Sequence, residues 1–257
     1  DWSSDVCSSD LSAGMRTSMA GGESLSTSLT MAGVMVIMAR MTRDEMVGLV
    51  RAMGPTMKER AVKYDQQASF PFENFADFRT NGLLTVSIPT RYGGLGASYA
   101  DYVRVSEEVG RHCGATGLTF NMHNATMLWC GEVADMLDMT PEQRERHEEV
   151  RTAMYRGVVE HGHIHSQPFS EGLAPGATSG VATKAVPVDG GWLVSGKKIF
   201  ASLSGAATFY NVTCQVPGED EIRLLGVPAD GEGVRIVDRS EEHTSELQSH
   251  HDLVCRL

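Results

Sequence analysis

The sequence predicts an α+β fold: an N-terminal α-helical domain followed by an incomplete antiparallel β-barrel domain. Three observations predict it. Apolar residues recur at helical spacing from Thr42 to about Glu160. After His161 the period shortens to that of strands, with a hairpin turn signal at Asp189-Gly190. Helices first and strands after describe two segregated units rather than an alternating α/β chain.

Thr42 with Glu45 three residues on has the spacing of a capping box and starts the first helix. Met46, Leu49, Val50, Met53 and Met57 then mark its buried stripe, and Gly54-Pro55 predicts a kink or break in the middle. Asn74 to Asn81 reads as a second helix that Gly82 ends in a left-handed cap. Ile88 to Gly96 reads as a loop of tight turns. Gly93-Gly94-Leu95-Gly96 lacks the lysine and the preceding strand of a phosphate-binding loop. Asp101 to Arg111 is helical with Tyr102, Val105 and Val109 on one face, and Gly117 to Leu128 is an apolar segment. Thr140-Pro141-Glu142 supplies a cap residue, a proline at the first helical position and an acid in the first turn.

Strands are predicted over 181–188, 192–195, 208–216 and 222–227, with 234–237 as a last one. His161, His163 and His165 alternate, so in a strand their imidazoles would share one face. No fourth ligand or cysteine pair accompanies them, and no metal is assigned.

The two ends stand apart from this pattern. Asp1 to Leu11 and Arg239 to Ser249 can be written as one DNA segment and its complement, and both resemble translated sequencing-library adapters. Residues 1–40 therefore read as an adapter-like and read-through segment and 239–257 as an adapter-like tail, with Met41 as the natural start. Between them lie a helical domain at 41–160 and a partial β-domain at 161–238.

The net charge of −11 is the wrong sign for a nucleic-acid stripe. The apolar run from Met31 to Ala39 is too short to span a bilayer. Of five cysteines, Cys7 and Cys255 lie in the adapter-like ends, and Cys113, Cys130 and Cys214 without metal or disulfide spacing fit a reducing, cytoplasmic setting.

Two stretches carry chemistry: Phe169-Ser170-Glu171, and Gly191 to Ser202 with the order G-W-L-V-S-G-K-K-I-F-A-S. Together with Pro89-Thr90-Arg91-Tyr92-Gly93-Gly94-Leu95-Gly96, they resemble the acyl-CoA dehydrogenase family over about Met41 to Asp238. The resemblance implies FAD as cofactor, with Gln167, Pro168, Phe169 and Ser170 along the flavin. Phe200 stands where the family usually has a tryptophan at the ring, with Ala201 after it and Ser202 in place of a threonine near the reactive nitrogen.

The same resemblance implies an acyl-CoA substrate, an electron-transfer flavoprotein or a reductase as redox partner, and a homo-oligomeric full-length protein. Gly176 falls where a serine helps hold the substrate's thioester or phosphate end, a departure that leaves room for the flavin-dependent monooxygenases built on the same scaffold. His123 with Asn124 is read either as lining an acyl pocket or as a satisfied core pair. In most of the family the catalytic glutamate lies in a C-terminal helical domain, so no residue here is assigned as the base. The resemblance then implies a fragment without dehydrogenase activity of its own. A cofactor-free binding module is the alternative outside the enzymes.

Overall fold

A computed structural model describes residues 41–171, 180–219, 222–238 and 251–254. The fold is α+β: a helical N-terminal part followed by a mixed sheet.

Five α-helices form the first part: α1 (Arg43–Gln66), α2 (Phe72–Thr80), α3 (Tyr99–His112), α4 (Gly114–Leu128) and α5 (Pro141–His161). Thr42 caps α1 through a reciprocal box, its hydroxyl accepting from the Glu45 N–H while the Glu45 carboxylate accepts from the Thr42 N–H. Thr140 and Gln143 do the same for α5, with Pro141 in its first turn. Gly82, at φ 72°, follows α2 as a left-handed residue.

The break predicted at Gly54-Pro55 does not occur, and α1 runs through both residues. The glycine has a packing reason instead. A Cβ there would lie 2.3 Å from Cε1 of His112, so Gly54 lets α3 close against α1.

The second part holds β1 (His165–Ser166), β2 (Lys184–Val188), β3 (Gly191–Ser195), β4 (Lys197–Lys198), β5 (Phe209–Gln215), β6 (Ile222–Pro228), β7 (Arg235–Asp238) and β8 (His251–Val254). The β2–β3 hairpin closes through Asp189-Gly190 with Val188 opposite Gly191, the two-residue turn the sequence predicts. β5 pairs antiparallel with β6 along its whole length. Its other edge is shared end to end: β1 runs parallel to Phe209 and Tyr210, and β2 touches it only at Lys184 opposite Gln215. The sheet is thus mixed and not wholly antiparallel. β4, β8 and β7 form a second, antiparallel sheet. Its middle strand, 251–254, lies in the segment that the sequence reading sets aside as a tail.

The three alternating histidines do not share a strand. His161 is the last residue of α5, Gly162 caps that helix in the left-handed region, and only His165 enters a strand. Among the described residues, no group of three or more His, Cys, Asp or Glu side chains is placed to hold a metal ion. One continuous apolar core runs from Met46 of α1 through Phe78, Phe120 and Tyr155 to Tyr210 and Val227 of the sheet. No helix among the described residues is long and apolar enough to cross a membrane.

Candidate functional site

Two short segments lie side by side where β1 and β4 end. The Ile199 N–H donates to the Ser170 carbonyl at 2.9 Å, and the Ser166 hydroxyl donates to the Ser202 carbonyl. Between these links stand Gln167, Pro168 and Phe169 on one side but only Phe200 and Ala201 on the other. The mismatch is absorbed by two tight turns, Phe169 N–H to Gln167 carbonyl and Ser202 N–H to Phe200 carbonyl, both 2.9 Å. Phe200 consequently sits at φ 56°, a left-handed conformation that a bulky residue rarely adopts and that tends to mark functional sites. Its ring is 39% exposed. Ser170 is exposed, Gln167, Phe169 and Ser202 are half-buried, and Pro168 and Ala201 are buried as support.

A buried ion pair fixes the two segments to each other. Lys198, only 1% exposed, reaches from β4 to the Glu171 carboxylate and to the Thr213 hydroxyl at 3.0 Å. Glu171 also accepts from the Ala182 N–H at 2.5 Å, the Thr183 N–H at 3.1 Å and the Thr183 hydroxyl at 2.6 Å. Burial alone would raise the Glu171 pKa, yet hydrogen bonds from Lys198, Thr183 and the two amides hold it below the usual carboxylate range. An anion with this many donors is an architectural group.

The helical part supplies the facing wall. Gln167 donates its side-chain amide to the Thr126 hydroxyl of α4. Past α4 the chain makes a π-helical turn, Trp129–Val133, in which Gly131 leaves helical geometry at φ −99° and ψ −107°. Two buried side chains take the carbonyls around this distortion. Tyr155 donates to Met127 O at 2.8 Å, and His147 Nε2 lies 2.9 Å from Cys130 O. The turn leaves Trp129 40% exposed, with its indole stacked on Phe169 at 5.3 Å and only 11° from parallel.

Both ring nitrogens of His123 are engaged within the core. The residue is fully buried: its Nδ1 accepts from the His165 N–H at 3.1 Å, which leaves its Nε2–H to donate to Leu84 O at 2.9 Å. Burial pushes its pKa down to about 4, so the ring is a neutral tie between α4, the turn after α2 and β1. Asn124, equally buried, donates to Phe120 O and belongs to the same core. Gly176 lies outside the described residues.

The structure therefore brings Gln167, Phe169, Ser170, Phe200 and Ser202 together and separates His123 from them. Trp129 and Thr126 complete the arrangement without having been singled out in the sequence, together with Lys198 of the Gly191–Ser202 stretch and Thr183.

The donor set suits a planar heteroaromatic ring. Exposed aromatic faces at Phe200 and Trp129 offer stacking, and the Ser170 hydroxyl and nearby main chain offer hydrogen bonds along one edge.

Comparison with known proteins agrees. Residues 39–147 match the family described as "Acyl-CoA dehydrogenase, N-terminal domain". The chain is 26% identical over 199 residues to the putative acyl-CoA dehydrogenase YdbM of Bacillus subtilis, covering 77% of this chain and 49% of that protein. It is 28% identical over 163 residues to the isobutylamine N-hydroxylase of Streptomyces viridifaciens, covering 62% and 41%. The crystal structure of FMN-bound TdsC from Paenibacillus sp. A11-2 has the same fold, with a TM-score of 0.64 and 22% identity over 84% of this chain and 51% of that one. The chain spans about half the length of the curated relatives it matches. The helical part of this chain thus matches the acyl-CoA dehydrogenase family, and the similarity to relatives extends through the sheet.

Proposed function

We propose that residues 167–170 and 199–202 are the bed of a flavin, and that the chain is the flavin-binding part of an oxidoreductase. The observation that carries this reading is the pair of links between the two segments, which leaves Ser170 and Phe200 accessible side by side. Gln167, Phe169, Ser170, Phe200 and Ser202 would hold the group, with Pro168 and Ala201 beneath. A flavin bound there supplies hydride acceptance. The chain's own residues orient the ring, stack against it and keep the bed rigid through Lys198 and Glu171.

The match of residues 39–147 to the acyl-CoA dehydrogenase N-terminal domain supports α,β-dehydrogenation of an acyl-CoA thioester with FAD as the reaction. An acyl-CoA would be the substrate, and an electron-transfer flavoprotein or a reductase the redox partner, in a homo-oligomer. Among the described residues Glu171 is committed to Lys198 and Thr183, so it is assigned to architecture and not to proton abstraction.

A second reading is a flavin-dependent monooxygenase, in which a partner reductase supplies the electrons. It is favoured by the N-hydroxylase among the relatives and by the FMN-bound structural neighbour.

The test is to express the full-length gene product, extract its flavin and identify it by mass. Dye-linked oxidation of acyl-CoA thioesters is then compared with oxygen uptake on primary amines in the presence of a flavin reductase. Turnover of acyl-CoA without reductase supports the first reading, and reductase-dependent oxygen uptake the second. A protein purified without flavin, and unable to take up FAD or FMN, refutes both.

A further inference from the structure

Left-handed backbone outside glycine occurs among the described residues at Ala68, Phe200 and Leu203, and the last two belong to one turn between β4 and β5. Gly205, at φ 82°, continues that turn. Glycine adopts such a φ without strain, and asparagine does so more readily than a bulky side chain. A leucine at φ 74° has to be held there by its surroundings.

Burial is what holds it. Leu203 is 2% exposed and belongs to the apolar core, and Ala201 is buried as well, whereas Phe200, Ser202 and Ser204 keep part of their surface in solvent. The Leu203 carbonyl accepts from the N–H groups of Ala206 and Ala207, both at 2.9 Å, and the chain reverses there. Under the reversal stands Tyr210, fully buried on β5. Its hydroxyl accepts from the Gly205 N–H at 3.4 Å, and Ser204 hydrogen-bonds to it as well. Upstream, the Ser202 carbonyl is tied to Ser166, and the Ala201 carbonyl accepts from the Ser204 N–H at 3.0 Å. The directions in which Phe200 and Ser202 leave the main chain are set by these buried ties.

We propose that Leu203 and Tyr210 are positioning residues of the bed: burial of one and the hydroxyl of the other keep the 200–205 turn in its left-handed form, and so keep Phe200 and Ser202 aimed at a bound ring. This inference rests on the flavin-bed reading. Once the leucine side chain is cut back, the backbone at 203 is free to return to the right-handed region, and the Ser202 peptide turns with it. The bed then holds its binding geometry for only a fraction of the time, and the apparent affinity falls by that fraction.

The test uses the full-length flavin-loaded protein and its Leu203→Asn, Leu203→Ala, Leu203→Met and Tyr210→Phe variants. Asparagine tolerates the left-handed region but gives up the apolar side chain, and methionine keeps an apolar side chain of similar volume. Flavin-free protein is titrated with FMN and with FAD. The visible band and the midpoint potential of the bound flavin are then read at saturation, and urea midpoints of the flavin-free proteins report any loss of fold separately.

The Asn and Ala variants should bind flavin about tenfold or more weakly, with the visible band moved toward that of free flavin. Tyr210→Phe should show the same change in smaller measure, and Leu203→Met should stay within about threefold of the parent. Should the Asn and Ala variants not fold, Tyr210→Phe carries the comparison. A flavin-loaded parent whose variants keep its band and potential, whatever their urea midpoints, overturns the positioning role and leaves the flavin bed standing. A parent that takes up neither FMN nor FAD overturns both.

Discussion

Lys198 and Glu171 meet as an ion pair with almost no solvent, and that contact adds a charged latch to the two main-chain links between the segment after β1 and the segment after β4. Replacing Lys198 by Met leaves a carboxylate buried without its cation. Breaking a buried pair in this way costs about 3–5 kcal/mol. The loss is expected as a lower urea midpoint for Lys198→Met, with the Glu171→Gln, Lys198→Met double variant recovering part of it. Equal stability of the single variant and the parent would show that the pair is not a latch.

The same carboxylate predicts an acid response. Its folded pKa lies below the unfolded value, so its contribution is complete above the ordinary carboxylate range and is lost as pH falls through the lowered folded value. Glu171→Gln should therefore flatten the stability profile on the acid side of that range and leave its slope near neutrality unchanged. Urea titrations across the acid range read this directly.

His123 and His165 act at higher pH. Burial depresses His123 to about 4 and His165 to about 3, against an unfolded value near ~6.5. Their stabilisation is full above the unfolded pKa and is lost as pH falls from there toward the two folded values, because only the unfolded chain takes up the protons. His165 Nδ1 accepts from Asn211, which leaves its buried Nε2–H without a hydrogen-bond partner among the described residues. The stability loss as pH falls below the unfolded value should shrink in His165→Gln, since one of the buried rings that titrate there is gone. An unchanged slope would contradict the assignment.

Phe200 at φ 56° separates binding from stability. In Phe200→Gly, relief of the left-handed strain offsets the greater freedom of the unfolded glycine, so unfolding free energy should stay within about 1 kcal/mol of the parent. Flavin affinity should fall, because the stacking face is lost. Calorimetry paired with flavin titration tests this, and a variant that keeps its flavin affinity removes Phe200 from the bed.

Gly131 offers a check on the π-turn. A Cβ there would sit 2.5 Å from the Tyr155 hydroxyl, which is fully buried and bonded to Met127 O. Gly131→Ala should cost about 1–3 kcal/mol through overpacking, measured by thermal or urea unfolding. It should also move Trp129, visible as a shift in tryptophan emission.

Much of this architecture could be read from local chemistry. Thr42 with Glu45 and Thr140 with Gln143 place two helix starts, and Asp189-Gly190 fixes a hairpin register, because each signal acts within four residues. The misreadings share a cause at longer range. Gly54-Pro55 looked like a break because the approach of His112, far along the chain, is invisible locally. His123 was left between a pocket and a core reading because its burial and its bond to His165 are tertiary facts. The family resemblance brought Ser170, Phe200 and Ser202 together, but it did not reveal the indole of Trp129 opposite them. That indole depends on where α4 lies relative to the sheet.

The β2–β3 ribbon joins its neighbour at one register, Lys184 against Gln215, reinforced by Gln215 N–H to Thr183 O at 2.8 Å. Val186, Pro187, Val188 and Leu193 face solvent, Trp192 packs partly buried against the core beneath Arg223, and the root carries the amides that clasp Glu171. Sequence change is therefore graded along this one ribbon. Residues added at the turn 189–190 lengthen the hairpin's end, while one residue inserted between Ala182 and Lys184 would shift the amides that clasp Glu171.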